Sequence, residues 1–391
     1  MAKKILITGC GYVGLSQAIL FHKNNKVDIL EIDEQKVNLI SNRKSPLLDK
    51  EFIDYFNKNE VELRAFKNIE DINQKYDFVL ICLPTDFDNT SAKLKTDLIE
   101  EYIDFFIRNT NAHIILKSTL PIGFTESQIL KYNTKRISFS PEFLREGRAL
   151  DDVMNPTRIV HGPKNKSSIM FDKIIKNSLP NYQNETRFME SSEAEAVKLF
   201  SNSFLALRVA FFNEVDNFSL KNNLNSKNII EGICDDNRIG MFYNNPSFGF
   251  GGYCLPKDSK ELSNHLKINN VPASLINTIN LSNSERKEFI SKILLKISAP
   301  NIGIYRINMK TDSSNFRDSA IIDILKILIK NKKNILIYEP LIEEDEFYGC
   351  KVEGDFKKFK RKSDLIIANR LDENIIDVSK KIFSRDIYTT N

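Results

Sequence analysis

Residues 3–16 read KKILITGCGYVGLS, and the fold of the first half of the chain turns on what they form. Two lysines before an apolar run give the look of a secretion leader. The run is only four residues long before Gly9, and no small-residue cleavage site follows it, so it reads as a strand. Gly9-Cys10-Gly11-Tyr12-Val13-Gly14 comes next and opens a helical pattern. A G-x-G-x-x-G alone is weak. Between a strand and a helix it supplies what a pyrophosphate needs: bare amide donors, the positive end of a helix dipole and no Cβ in the way.

Working outward, the next strand pattern, KVDILEID (26–33), ends in Glu31-Ile32-Asp33. An acid about 20 residues past the motif binds ribose hydroxyls and favours NAD over NADP. Strand alternation does not separate Glu31 from Asp33; Glu31 is the residue carried forward. Further strand patterns at 76–84, 112–119 and 136–141 alternate with helical stretches such as Leu15–His22 and Asp97–Arg108. That order implies a parallel sheet covered by helices.

From Ser192 comes the longest helical pattern, SEAEAVKLFSNSFLALRVAFFNEVDNFSLKNN. Ser192 and Glu195 have the spacing of a capping box. Ala196, Phe200, Phe204, Leu207 and Phe211 recur at helical spacing and predict one broad buried face. About 30 residues of helix span about 45 Å, enough to bridge domains or build a dimer interface. A second helical region covers roughly 257–297, and strand–helix alternation resumes near 300. The expected fold is therefore α/β, with two Rossmann-like parallel-sheet domains joined by a long central helix. The expected division is 1–190, 191–297 and 298–391.

Composition excludes several classes. Of 391 residues 41% are hydrophobic and 28% charged, as in a globular protein. The net charge of +4 and the lack of long like-charge runs argue against a nucleic-acid surface. No stretch approaches the ~20 apolar residues of a membrane span. Cysteines 10, 82, 234, 254 and 350 are few and odd in number and hold no C-x-x-C pair, and the four histidines are isolated. Neither a disulfide framework, nor a zinc site, nor any other metal is expected, and a cytoplasmic setting is.

Several constellations carry chemistry. GFGGYCLPKD (249–258) crowds glycines, Cys254, Lys257 and Asp258 into ten positions. Glycines allow close approach, and a lysine beside a cysteine favours the thiolate, so Cys254 reads as a nucleophile. Cys82-Leu83-Pro84-Thr85 and Lys117-Ser118-Thr119 end predicted strands, where open α/β sheets bind ligands. In SPEFLREG (140–147), a helix after Pro141 would put Glu142 and Glu146 on one face; paired carboxylates suit proton transfer. Lys198 and Asn202, four apart on the long helix, suit stabilisation of an oxyanion.

GCGYVG, CLPT, KSTLPIG, SPEFLREGRALDD, SEAEAVKLFSNSFLALRVAFFNE, DNRIGMFYNNPSFGFGGYCLPKDS and YRINMKTDSSNFRDSA together resemble the UDP-glucose/GDP-mannose dehydrogenase family over nearly the whole chain. The resemblance implies NAD-dependent four-electron oxidation of a nucleotide sugar at C6. UDP-glucose is the substrate implied, with GDP-mannose and UDP-N-acetylmannosamine as alternatives. It further implies Cys254 as nucleophile, Asp258 as activator of a hydrolytic water, and Lys198 and Asn202 as holders of oxygen charge at C6. Thr119, Glu142 and Glu146 would move protons and place water. Cofactor contacts would come from Gly9, Gly11, Tyr12, Val13, Gly14, Glu31, Thr85, Thr119, Glu146, Lys257 and Arg317. Glu142, Phe143, Leu144, Lys198 and Asn202 would line the sugar nucleotide, with Arg238, Tyr243, Asn244, Ser247, Gly251 and Lys310. Gly249–Gly252 would lie against substrate, and the long helix would form a homodimer core. Three departures are visible: Asp86 stands where many members have a second proline after C-x-P-T, Tyr305-Arg306-Ile307-Asn308-Met309-Lys310 replaces the usual apolar-Phe-Lys segment of the third domain, and Glu31 stands where most have Asp.

Overall fold

The computed structural model describes residues 2–72, 75–307 and 319–389. Lys310 and Arg317 therefore lie outside the described residues. The chain divides into two compact units, Met1–Phe200 and Ser201–Asn391.

In the first unit, β1 (Lys4–Thr8), β2 (Lys26–Leu30), β3 (Arg64–Phe66), β4 (Phe78–Ile81), β5 (His113–Leu116) and β6 (Ile137–Phe139) form a sheet. The order is β3-β2-β1-β4-β5-β6, and every pairing is parallel. Helices cover both faces, so the strands read as near-continuous apolar runs. Ile5 and Ile7 enter one core and Leu6 the other, the two-residue period of a strand buried on both sides. Helix α1 (Tyr12–Phe21) follows β1, and α2 (Glu34–Ser41) follows β2, capped by the Asp33 carboxylate. Between β5 and β6 lies α3 (Phe124–Lys131).

Helix α4 (Ser191–Lys221) is 31 residues long and passes from the first unit into the second. The expected capping box does not form. The backbone N–H of Glu190 donates to Glu193 Oε2 at 2.8 Å, and the Glu195 carboxylate points elsewhere. The predicted buried phenylalanine face is also corrected: Phe200, Phe204 and Phe211 are 43%, 56% and 51% exposed in the single chain. Small and polar side chains, among them Ser203, Ala206, Ala210 and Asp216, occupy the buried face instead. Periodicity identified a stripe; it did not identify what covers it.

In the second unit α4 is followed by a short helix at Ser226–Cys234 and then by α5 (Cys254–Ile268) and α6 (Ser274–Lys296). A second sheet comprises β7 (Asn301–Tyr305), β8 (Asn334–Tyr338), β9 (Glu346–Phe347), β10 (Cys350–Val352), β11 (Leu365–Ala368) and β12 (Ile382–Phe383). Its order is β9-β10-β8-β7-β11-β12, parallel except where β9 meets β10. Helix α7 (Ala320–Lys330) packs its isoleucines and leucines into the core on one face. Among the described residues no helix is long and apolar enough to cross a membrane.

Candidate active site

In the first unit, the glycine loop has a geometry fitted to a dinucleotide. Gly9 sits at φ +82°, and a Cβ on Gly14 would stand 1.9 Å from the Gly9 carbonyl oxygen. Gly11 is the N-cap of α1, and a Cβ there would meet nothing within 4 Å. Gly9 and Gly14 thus satisfy the turn and the strand–helix packing, while Gly11 opens space over the first turn, where Tyr12 and Val13 begin the helix. A pyrophosphate there meets the positive end of α1.

Glu31 is buried at the end of β2; its Oε2 accepts the Cys10 N–H at 2.9 Å and its Oε1 the Asp33 N–H at 3.1 Å. Burial raises its carboxyl pKa, but those donors prevail and hold it below the usual carboxylate range. Asp33 is occupied at the start of α2, accepting the N–H groups of Gln35 and Lys36. The acid that touches the glycine loop is Glu31.

Two strand-end loops are tied together. Thr85 Oγ1 donates to the Thr119 carbonyl at 2.9 Å, and Ser118 Oγ to the Leu83 carbonyl at 2.6 Å. The next loop departs from expectation: residues after Pro141 form no helix, and Gly147 takes φ +82°. Glu142 and Glu146 are therefore not paired along a helix face. Glu142 instead ion-pairs with Lys117, accepts from Gln17 Nε2 at 3.1 Å, and lends its backbone carbonyl to Lys198 Nζ at 2.6 Å. Lys198 also lies 5.4 Å from the Phe143 ring centre, and the Arg158 guanidinium lies 3.9 Å from it. Leu144 is partly buried against the core beneath α1.

Lys117 was named from sequence as part of a strand end but given no role of its own. Its side chain is fully buried, donates to Ser140 Oγ at 3.1 Å and lies 5.5 Å from the Phe171 ring centre. A lysine closing the otherwise apolar strand HIIL was the signal available. Gln17, on the buried side of α1, left none.

In the second unit Cys254 is the first residue of α5 and is partly exposed. Cys10, Cys234 and Cys350 are buried, and Cys82 is partly exposed. Burial pushes the thiols of Cys10, Cys234 and Cys350 up, and that of Cys82 to about 12. Beside Cys254, in the same turn, Lys257 Nζ lies 2.7 Å from Asp258 Oδ1 and 5.1 Å from the Tyr253 ring centre. Asn202 Nδ2 donates to Asp258 Oδ2 at 2.5 Å. Asp258 is fully buried, with each carboxylate oxygen held by a different donor. Lysine and carboxamide, expected to face cofactor and substrate oxygen, both orient this carboxylate.

The segment before Cys254 is built on α6. Arg286 Nε and Nη2 donate to the Ser247 carbonyl at 3.0 and 2.9 Å, and Nη2 reaches Asp216 Oδ2 at 2.5 Å. Arg385 Nε meets the same Asp216 oxygen at 2.9 Å. The Ser247 N–H donates to Asn213 Oδ1 at 2.9 Å, and its hydroxyl to the Gly249 carbonyl at 2.9 Å. A Cβ on Gly249, at φ +150°, would stand 2.7 Å from Asn283 Oδ1, so that glycine answers a contact inside the protein. Gly252, at φ +80°, borders open space; Gly251 is partly buried beside it. Asn244 is buried with its amide 3.3 Å from Met241 Sδ, whereas Tyr243, at φ +51°, and Arg238 are exposed. Arg238 pairs with Asp236 at 2.5 Å. Among the described residues no group of His, Cys, Asp and Glu is arranged to hold a metal ion.

Models of the UDP-glucose/GDP-mannose dehydrogenase family match three segments: the NAD binding domain at 3–178, the central domain at 192–285 and the UDP binding domain at 303–386. The UDP-glucose 6-dehydrogenase of Campylobacter jejuni is 47% identical, covering 99% of this chain and 100% of that one. The Streptococcus pneumoniae enzyme of that name is 40% identical, covering 98% and 99%. The solved UDP-glucose dehydrogenase of Pyrobaculum islandicum superposes with a TM-score of 0.85 at 21% identity, covering 94% and 90%, a likeness of fold.

Proposed function

Because this chain belongs to the UDP-glucose/GDP-mannose dehydrogenase family, we propose that it oxidises UDP-glucose to UDP-glucuronate with two NAD⁺ per sugar. The observation that carries the reading is Cys254 at a helix N-terminus, one turn from a buried Asp258 held by Lys257 and Asn202. Bound NAD⁺ supplies the acceptor for a hydride from C6, twice per turnover.

The protein's own groups do the rest. Glu142, Glu146 and Thr119 place water and take the C6 hydroxyl proton, and Lys198 steadies the oxygen as charge builds on it. The C–H of an aldehyde is a poor hydride donor until a nucleophile adds to the carbon. The Cys254 thiolate forms a C–S bond while the carbonyl π bond opens onto oxygen, which gains a proton; the C–H kept from the aldehyde then leaves as hydride, the oxygen gives up its proton and the C=O of a thioester re-forms. Water then adds to the thioester, its proton passing towards Asp258; the C–S bond breaks and the thiolate is restored. Asn202, by orienting Asp258, serves the hydrolytic half.

Glu31 is the residue for the ribose hydroxyls, with Gly9, Gly11 and Gly14 shaping the pyrophosphate turn. Phe143, Leu144, Tyr243, Asn244, Ser247, Gly251 and Arg238 belong to the nucleotide-sugar site in this reading. The division 1–190, 191–297 and 298–391 belongs to it too, and the three family segments support it. So does a homodimer: Phe200, Phe204, Phe211 and Phe218 are all exposed on α4, and such a stripe is expensive to leave in water. Five free cysteines suit a reducing cytoplasm.

The test is stoichiometric. With limiting UDP-glucose, two NADH appear per sugar consumed; a value of one overturns the mechanism. Cys254→Ala binds NAD⁺ normally and makes no acid; retained acid production removes the thiol from the chemistry. Turnover confined to GDP-mannose or UDP-N-acetylmannosamine overturns the substrate alone.

A further inference from the structure

Glu195 has a task that neither its sequence pattern nor the proposed chemistry assigns. The side chain is fully buried, and its carboxylate is directed at α3: Oε2 accepts the Gly123 N–H at 2.6 Å and Oε1 the Thr125 N–H at 2.8 Å. Gly123 is the N-cap of α3, at φ +92°, and has no side chain with which to cap it. Glu195 therefore caps that helix from another one. Burial pushes its carboxyl up to about 7, against the pull of these donors.

The residues capped lie directly after Thr119-Leu120-Pro121-Ile122. At the near end of this segment the Thr119 carbonyl is held by Thr85, and Leu120 is fully buried. At the far end the Glu195 carboxylate is, among the described residues, the side chain that receives the Gly123 and Thr125 amides. Three residues along the same face of α4, Lys198 holds the Glu142 carbonyl. Two adjacent turns of one helix thus fix two strand-end loops.

We propose that Glu195 is a positioning residue that sets Thr119 in register with Lys198 by clamping the Thr119–Gly123 segment to α4. This rests on the functional reading in which Thr119 and Lys198 act at C6.

The test uses the full-length enzyme at pH about 8, with Glu195→Gln, Glu195→Ala, Thr119→Ala and the double variant Glu195→Ala/Thr119→Ala. Glu195→Ala lowers kcat by about 10- to 100-fold, the range for a small misplacement of reacting groups. KM for the nucleotide sugar moves less than about threefold. The double variant is no worse than Thr119→Ala, because both changes remove one interaction. Glu195→Gln, equal in size but with a donor facing one of the two N–H groups, falls between wild type and Glu195→Ala. Losses that multiply in the double variant, or a change confined to KM, overturn the proposal. Amide exchange supplies a readout that needs no turnover: at Gly123 and Thr125 it is about fivefold faster or more in both Glu195 variants. Unchanged exchange there overturns the clamp even in an inactive protein. A wild type inactive on every nucleotide sugar with the exchange result intact overturns the functional reading and leaves the clamp standing.

Discussion

Five cysteines occupy this chain, and their surroundings rank them chemically. Cys10, Cys82, Cys234 and Cys350 all have thiols raised by burial, and the raised value keeps each protonated at neutral pH and above. Cys254 instead begins a helix, where the amide dipoles favour a thiolate. Iodoacetamide at pH about 8 should therefore label Cys254 about tenfold faster than any other cysteine. Raising the pH does not bring Cys82 into play until about 12. Peptide mass mapping checks this, and early label on Cys10 or Cys82 contradicts it.

At the scale of elements, the strand–turn–helix around Gly9 was legible because every contact that defines it is local. The GFGG segment was legible as a site but not in its cause, since Gly249 yields to Asn283, far along the chain. Glu195 was misread for a similar reason. S-x-x-E fits a local cap, whereas its partners lie 72 and 70 residues away. The Glu142–Glu146 pairing failed because four-residue spacing brings groups together only in a helix, and Gly147 at φ +82° closes a loop instead. The buried Arg286–Asp216–Arg385 group was wholly illegible: its members come from α6, α4 and the chain beyond β12. Burial pulls the Arg286 guanidinium down to about 10, the mark of a cation kept for its partners. Arg286→Met should cost about 3 kcal/mol, as one partner of a buried ion pair is lost and the Ser247 carbonyl loses its donors. Urea unfolding measures it; a loss below about 1 kcal/mol would show the network to be dispensable.

For the whole molecule, the phenylalanine face of α4 is the feature on which the proposed homodimer rests. A single chain leaves Phe200, Phe204, Phe211 and Phe218 between 43% and 57% exposed, and burying the exposed half of each is worth about 1 kcal/mol. Phe204→Asp places a charge in that stripe and should convert a dimer to monomers, read by light scattering at micromolar concentration. A dimer unchanged by Phe204→Asp together with Phe211→Asp would assign the interface elsewhere.

Glu195 and Lys198 ride on one uninterrupted rod, so their mutual placement is written as a residue count. Each residue added to a helix rotates the turns beyond it by about 100° and advances them by about 1.5 Å. A single insertion between Glu195 and Lys198 would swing Lys198 away from the Glu142 carbonyl while leaving the clamp on α3 untouched. Loops elsewhere in the chain can lengthen with little consequence; this short stretch of α4 has no tolerance for a change in length.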